Sequence, residues 1–436
     1  MKGLGGGPDH PVVIAPLHSR LLSLPKGVTF VEAEGVSPGA TYPEGFLAGG
    51  IVAGIKESGR PDMGVLTVAP EWREKASSAA VFTRNAFAAA PIVLNRTECD
   101  LAHLTAVAMN SGNANACTGE AGLAVARAMQ WACAEVLGVS PSAVAVGSTG
   151  IIGVQLDEAF MAAGIKKAAG AVTADGGSDF NGSIMTTDRF PKICAASVKT
   201  AAGTVRVGVC AKGAGMIAPA MATMLCVVTT DAELTPRDAR SLLETGVGRT
   251  FNRVTVDGEM STNDSVLFFA SGASGVRPDG VSLRMLGEAM DAVLLRVALM
   301  MVADGEGATK IMRLRVDGAE NEKSAVAVAR AIAGSPLVKT AMHGGDPNWG
   351  RIISSAGAAM AGRTLPDASL QLCGVTVVQK GMACIVAKSD RVQMAAEMKL
   401  PEIDIRLDLG LGEASTELFF ADMGHEYVTI NAEYHS

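Results

Sequence analysis

The chain has 436 residues, 48% of them hydrophobic, with 50 glycines and only 4% aromatic side chains. That balance describes a well-packed, small-residue protein, excludes a disordered one, and at this length suggests two or more structural units. A formal charge of −7 with no Lys/Arg cluster excludes a nucleic-acid partner, and the most apolar stretch, 286–303, carries Glu288, Asp291 and Arg296, so it reads as a buried helix and not as a membrane span.

In chain order, residues 1–25 read as a flexible extension, glycines first and then Pro8, Pro11, Pro16 and Pro25. No long apolar core of a secretory signal is present there, which makes a cytoplasmic location the expectation. Strand-like runs follow at 26–33, 50–54 and 80–84. The spacing predicts a helix over 119–137 that stops at Gly138. AVAV at 143–146 reads as a buried strand delivering Gly147-Ser148-Thr149-Gly150 to its end. TVRVGVCA at 204–211 alternates as a half-buried strand does, and MLCVVTT at 224–230 is fully apolar. Helices are expected over 235–247, 281–303 and 321–334, and strands near 265–270, 311–316, 371–379 and 382–387. Strands and helices mixed without regular βαβ spacing predict an α/β protein with layered mixed sheets and helices outside.

Several chemical patterns fail on physical grounds. Gly35-Val36-Ser37-Pro38-Gly39 fits a nucleophile elbow, but Pro38 lacks the N–H that the elbow supplies to its oxyanion hole. Gly213-x-Gly215-x-x-Ala218 precedes Pro219 and an apolar strand where a dinucleotide-binding helix belongs. GEGATK at 305–310 lacks the glycine spacing of a phosphate loop. The six histidines form no H-x-x-x-H pair, and the eight cysteines form no C-x-x-C pair. The expectation is therefore no metal site, buried thiols in place of disulfides, and a structural His103.

Residues 212–230, KGAGMIAPAMATMLCVVTT, set a lone Thr223 after a glycine-rich loop and ahead of the apolar run. A threonine hydroxyl needs a base before it attacks. Were the chain to break between Ala222 and Thr223, the new α-amine would sit on the same residue, with a pKa of roughly 7.7–8.0 against about 10.4 for a lysine. The small Ala222 leaves room for that attack, and Gly213 and Gly215 permit the tight backbone it needs. The same stretch also fits a surface loop entering a buried strand. Acyl transfer further requires donors for an oxyanion, which Thr149 and Gly150 at a strand end can supply through a hydroxyl and an N–H.

NSGNANACTG (110–119), GSTGIIG (147–153), KGAGMIAP followed by MATML, TVDGEMSTND (255–264), DGEGATK (304–310), GGDPNWGRI (344–352) and the closing INAEY (430–434) resemble, in the same order, the ornithine acetyltransferase (glutamate N-acetyltransferase) family. The resemblance runs from about residue 26 to the C-terminus. It implies an N-terminal-nucleophile-like, self-processing acyltransferase that cleaves itself into 1–222 and 223–436. Thr223 would be the nucleophile, Ala222 and Thr223 the cleavage pair, and Thr149 with Gly150 the oxyanion hole. Substrate contacts would be Thr186 or Thr187 (Thr187 the preferred one), Lys212, Thr223, Glu306, Asn431 and Ser436. Lys212 would meet a substrate carboxylate and Glu306 a substrate amine.

The implied reaction moves acetyl from N-acetyl-L-ornithine to L-glutamate through an acetyl-threonine, in arginine biosynthesis. No cofactor or metal is implied, although acetyl-CoA stays open as a second donor, and the implied assembly is a heterotetramer of two copies of each fragment. A self-processing, aminopeptidase-like hydrolase and an unprocessed binding protein are the alternatives. Ala220, where the family commonly has a polar residue, and Glu259, where aspartate is usual, depart from the pattern. NSGNANACTG and GGDPNWGRI, the latter with Trp349 as an anchor, read as turn-forming strings.

Overall fold

The computed structural model describes residues 19–32, 39–218 and 224–433. These fall into two compact units, one built from residues 22–301 with the chain end from 431, the other from the residues up to 21 with 302–430.

In the first unit the elements are β1 (Val28–Phe30), β2 (Phe46–Ile51), β3 (Met63–Val68), β4 (Ser77–Phe82), α1 (Ala90–Glu98), β5 (Ala106–Asn113), α2 (Gly119–Leu137) and β6 (Val144–Ile151). They continue with α3 (Glu158–Gly170), α4 (Gly177–Ile184), β7 (Lys192–Thr200), β8 (Gly203–Lys212), β9 (Leu225–Thr230), α5 (Pro236–Arg249), β10 (Val254–Thr255), β11 (Ser265–Ala270) and α6 (Gly280–Ala303). One sheet has the order β1-β7-β8-β9-β11-β4, the other β2-β3-β5-β6. Both are mixed, since β9 runs parallel to β11 and β5 parallel to β6 while their other neighbours are antiparallel.

Strand parity sorts the layers. Leu66, Val68, Val107, Met109 and Ala145 of the smaller sheet pack in one core with Cys210, Leu225, Val227, Leu267 and Phe269 of the larger. The alternate residues Met63, Val65, Ala106, Ala108, Val144 and Val146 face outward and meet Leu94, Val125, Met129, Met161 and Ile165 of α1, α2 and α3. Side chains one step apart on a strand point to opposite faces, so these nearly continuous apolar runs fill two cores at once. Each large side chain so buried contributes about 1.5–3 kcal/mol. On the far side of the larger sheet, α5 packs along β4 and β11. Arg296 of α6 is wholly buried, paired with Glu32 and set 4.5 Å from the centroid of the Phe30 ring. Its charge thus has a partner inside a folded core, as expected of the 286–303 segment. The expected layered α/β class is borne out.

The second unit holds β12 (Ile311–Ala319), α7 (Glu322–Ala333), α8 (Pro336–Gly344), α9 (Trp349–Ala359), β13 (Ser369–Leu372), β14 (Val375–Gln379), β15 (Met382–Ala383), α10 (Lys388–Glu397), β16 (Glu402–Asp408), β17 (Ala414–Ala421) and α11 (His425–Glu433). Its strands run β17-β12-β16-β13-β14-β15. Met312, Leu314, Ile403, Ile405, Leu418 and Phe420 of this sheet pack on Val328, Ile332, Val338, Met342 and Ile352 of α7, α8 and α9.

Local expectations needed correcting where tertiary contacts override pattern. The stretch 371–379 is two strands of a hairpin broken at Cys373 and Gly374, and the strand expected to 387 stops at Ala383. Asn110 to Asn113 continue β5 and are not a turn, because β6 supplies their ladder partners. Trp349 opens α9. His103 has the partner expected of a structural histidine, Asp100 at 3.0 Å, although it lies exposed. All eight cysteines are free, yet Cys117 is exposed and Cys99 and Cys384 are half-buried. Among the described residues no single helix is long and apolar enough to cross a membrane.

Candidate active site

Parity places the first two site residues. Cys210 faces the core between the sheets, so Lys212, two residues further along β8, faces it too. Ala145 does the same on β6, and Thr149 follows by two steps of two. The two side chains meet there: Lys212 Nζ donates to Thr149 Oγ1 over 3.3 Å, with the residues only 4% and 6% exposed. A hydroxyl that accepts from an ammonium keeps its own hydrogen free to donate elsewhere.

Gly150 follows at φ +130°, and a Cβ there would stand 2.4 Å from the carbonyl carbon of Gly112. The close approach of the β5 and β6 backbones therefore needs glycine at this position. Their ends are tied together by amides. Ser148 Oγ donates to Asn110 Oδ1 (2.6 Å), and Asn110 Nδ2 donates to the Asn113 carbonyl (2.9 Å). Asn263 Nδ2 donates to the carbonyls of both Ala114 and Ser148, each at 2.6 Å. The strings NSGNA, GSTG and TND thus form one braced strand end.

Asp264 continues the brace. Its Oδ1 accepts the N–H of Met224 at 3.0 Å, and the Met224 carbonyl accepts the N–H of Ser265 at 2.9 Å. The start of β9 is therefore clamped on both sides, with Leu225 in register with Lys212. Burial pushes the Asp264 carboxyl well above the usual range, against the opposing pull of the Met224 N–H and of Lys212.

Thr186 and Thr187 lie half-buried between α4 and β7, and Asp188 fixes their turn. Asp188 accepts the N–H of Thr186 (2.9 Å) and that of Gly213 (2.8 Å), so it links this turn to the loop after β8. It is ion-paired with Lys192, both side chains being fully buried. Burial alone would raise its pKa, but the charges of Lys192 and Lys212 and the Thr186 N–H hold it well below the usual carboxylate range. Lys56 completes the cluster, donating to the carbonyls of Pro61 and Met185, both at 2.7 Å. Burial pushes its ammonium down to about 8; Asp62 opposes this and Lys212 adds to it.

The structure thus brings Thr149, Gly150, Lys212, Thr186 and Thr187 together. Glu306 stands in the second unit, on the loop between α6 and β12, and Asn431 lies in the last turn of α11. Ala222, Thr223 and Ser436 lie outside the described residues, as does Ala220. Asn263 and Asp264 were missed as site residues although TVDGEMSTND contains them, and Asp188 although it directly follows Thr187. Lys56 carried no sequence signal.

A hydroxyl and a neighbouring backbone N–H at one strand end, beside a buried cation and within layered mixed sheets, are the kinds of donor that acyl transfer calls for. Residues 47–436 match the ArgJ family. The arginine biosynthesis bifunctional protein ArgJ of Nitratidesulfovibrio vulgaris is 42% identical over 395 residues, covering 90% of this chain and 99% of that one. The protein of the same description from Symbiobacterium thermophilum is 41% identical over 404 residues, covering 92% and 99%. The solved ornithine acetyltransferase of Mycobacterium tuberculosis, complexed with ornithine, is 35% identical, with a TM-score of 0.39 over 45% of this chain and 100% of that one. The chain belongs to the ArgJ family, and it is an acyltransferase of arginine biosynthesis.

Proposed function

We propose that the protein cuts itself between Ala222 and Thr223 and then uses Thr223 to carry acetyl from N-acetyl-L-ornithine to L-glutamate. In the precursor the Thr223 hydroxyl attacks the Ala222 carbonyl. The acyl group shifts from nitrogen to oxygen, and water hydrolyses the ester to leave an Ala222 carboxylate and a free Thr223 α-amine. Intramolecular placement can supply effective molarities on the order of 10⁵–10⁸ M, which brings an otherwise inert peptide bond within reach.

In the mature enzyme the α-amine takes the Thr223 hydroxyl proton as its oxygen attacks the acetyl carbonyl. The oxyanion accepts from Thr149 Oγ1–H and Gly150 N–H. Collapse expels the amine of ornithine, which receives the proton, and leaves acetyl-threonine. The glutamate amine then attacks the ester and the steps reverse, giving N-acetylglutamate and the free hydroxyl. One site serving two amines in turn gives ping-pong kinetics.

The observation that carries this reading is the Lys212–Thr149 contact, which sets a polarised hydroxyl beside Gly150 at the level where β9 begins. Lys212 would receive a substrate carboxylate, with Thr187 or Thr186 beside it. Glu306 would receive a substrate ammonium, and Asn431 and Ser436 would complete the contacts. The same reading gives fragments 1–222 and 223–436, assembled as two copies of each in the cytoplasm, and leaves acetyl-CoA as a second donor to be assayed.

Intact-mass measurement of the purified protein beside Thr223→Ala tests the cleavage: two fragments are expected for the wild type and one 44.6 kDa species for the variant. Incubation with N-acetylornithine and labelled glutamate tests the transfer. Labelled N-acetylglutamate with little free acetate supports it, and free acetate as the main product replaces it with hydrolysis.

A further inference from the structure

The loop DGEGATK between α6 and β12 is built as a turn followed by an anchor. The Ala308 N–H donates to the Gly305 carbonyl at 2.7 Å, which puts Glu306 and Gly307 at the corner. Gly307 has φ +70°, the conformation glycine supplies at the third residue of a type II turn. A Cβ on it would stand 2.5 Å from the Tyr427 backbone nitrogen and 3.0 Å from the Glu426 carbonyl carbon. The corner therefore rests directly on the first turn of α11, with no room for a side chain between them.

The anchor is Asp422, a buried carboxylate just after β17 and just before α11. Its Oδ1 accepts the N–H groups of Thr309 and Lys310, both at 2.8 Å, and its Oδ2 accepts Thr309 Oγ1–H at 2.6 Å. His343 Nδ1 completes the set at 2.7 Å. Lys310 Nζ reaches on to the carbonyls of Met342 (2.6 Å) and His343 (3.2 Å) at the end of α8, where a cation complements the helix dipole. Thr309 and Lys310 of DGEGATK, and the end of α8 just before GGDPNWG, are thereby absorbed into one scaffold. Its contacts fix Thr309 and Lys310, one residue beyond the turn that carries Glu306.

We propose that Asp422 is the positioning residue for Glu306: it sets the direction of that carboxylate by holding its loop to α8 and to the start of α11. The assignment rests on the reading of Glu306 as the contact for the substrate amine. An acceptor of this density matters because a loop free to swing loses the entropy of ordering again each time a substrate binds. Its loss falls on binding of both amino substrates and spares self-cleavage, which needs no substrate amine.

The test compares wild type with Asp422→Asn, which keeps the shape and loses the charge. Self-cleavage to the same extent is expected, with KM for N-acetylornithine and for glutamate each raised roughly tenfold and kcat changed by less than about threefold. Hydrogen exchange of the 306–310 amides is expected to accelerate. Thr309→Val removes a single leg and is expected to raise both KM values by roughly threefold, which keeps the proposal testable should Asp422→Asn fold poorly. Unchanged KM values in a folded variant overturn the proposal, as does a fall in kcat alone that tracks the loss of folded protein. If the wild type itself transfers no acetyl group, the reading of the reaction fails separately. The anchor is then decided by hydrogen exchange, where equal rates in the two proteins overturn it.

Discussion

Lys212 and Thr149 belong to different sheets, and the 3.3 Å contact between them is where the polar end of the core between those sheets begins. The ammonium gives to the threonine oxygen, so the threonine's own hydrogen is the one left for an oxyanion. In so little solvent each member of such a chain strengthens the next.

Removing the hydroxyl should therefore act on the rate and not on affinity. Thr149→Val keeps the branched shape on β6 and is expected to lower kcat, counted per cleaved enzyme, by roughly 10²–10³-fold with KM nearly unchanged. Steady-state acetyl transfer checks this. A kcat within a few-fold of wild type would remove Thr149 from the oxyanion hole.

Much of this was legible in the chain, and the residues say why. Thr149, Gly150 and Lys212 were named through the resemblance, and the face that Thr149 and Lys212 join follows once Ala145 and Cys210 are seen in the core between the sheets. TND stood in a recognisable string, although its purpose appears only when Asn263 is seen between Ala114 and Ser148, residues more than 100 positions away. Asp188 and Asp422 were illegible as hubs, since an isolated aspartate carries no record of the distant N–H groups it will accept. The hairpin at 371–379 and the helix α8 were passed over although local signals mark them: Cys373 and Gly374 turn at positive φ, Ser335 caps α8 with Pro336 in its first turn, and a left-handed Gly345 ends it.

Asp188 should be costly to neutralise. Lys192 is wholly buried against it, so Asp188→Asn leaves a buried ammonium without its counter-charge, and a loss of about 3–5 kcal/mol is expected in urea unfolding. The sign with pH follows from the direction of its shift. Its folded pKa lies below the unfolded value, so its stabilisation is complete above the unfolded pKa and disappears as pH falls through the folded one. The gap between wild type and Asp188→Asn should narrow on acidification. A variant as stable as wild type at neutral pH would show that Lys192 finds another partner.

Lys56 runs the other way along the pH axis. Its folded pKa is lowered from 10.5 to about 8, burial being the main cause, with Lys212 adding to it and Asp62 opposing. Between those two values the unfolded chain binds more protons than the folded one, so this residue makes stability rise as pH increases through that window. The neutral amine still has hydrogens for the Pro61 and Met185 carbonyls, so the turn ahead of Thr186 stays tied. Subtracting the urea-unfolding free energy of Lys56→Met from that of wild type cancels the other titrating groups. The difference should move in favour of wild type between about pH 8 and pH 10, and a flat or falling difference would show that Lys56 stays solvated and charged throughout. The site should register the same proton: with the charge on Lys56 gone, the carboxylate contact proposed for Lys212 has less help, and KM for glutamate should rise over that interval in wild type but not in Lys56→Met.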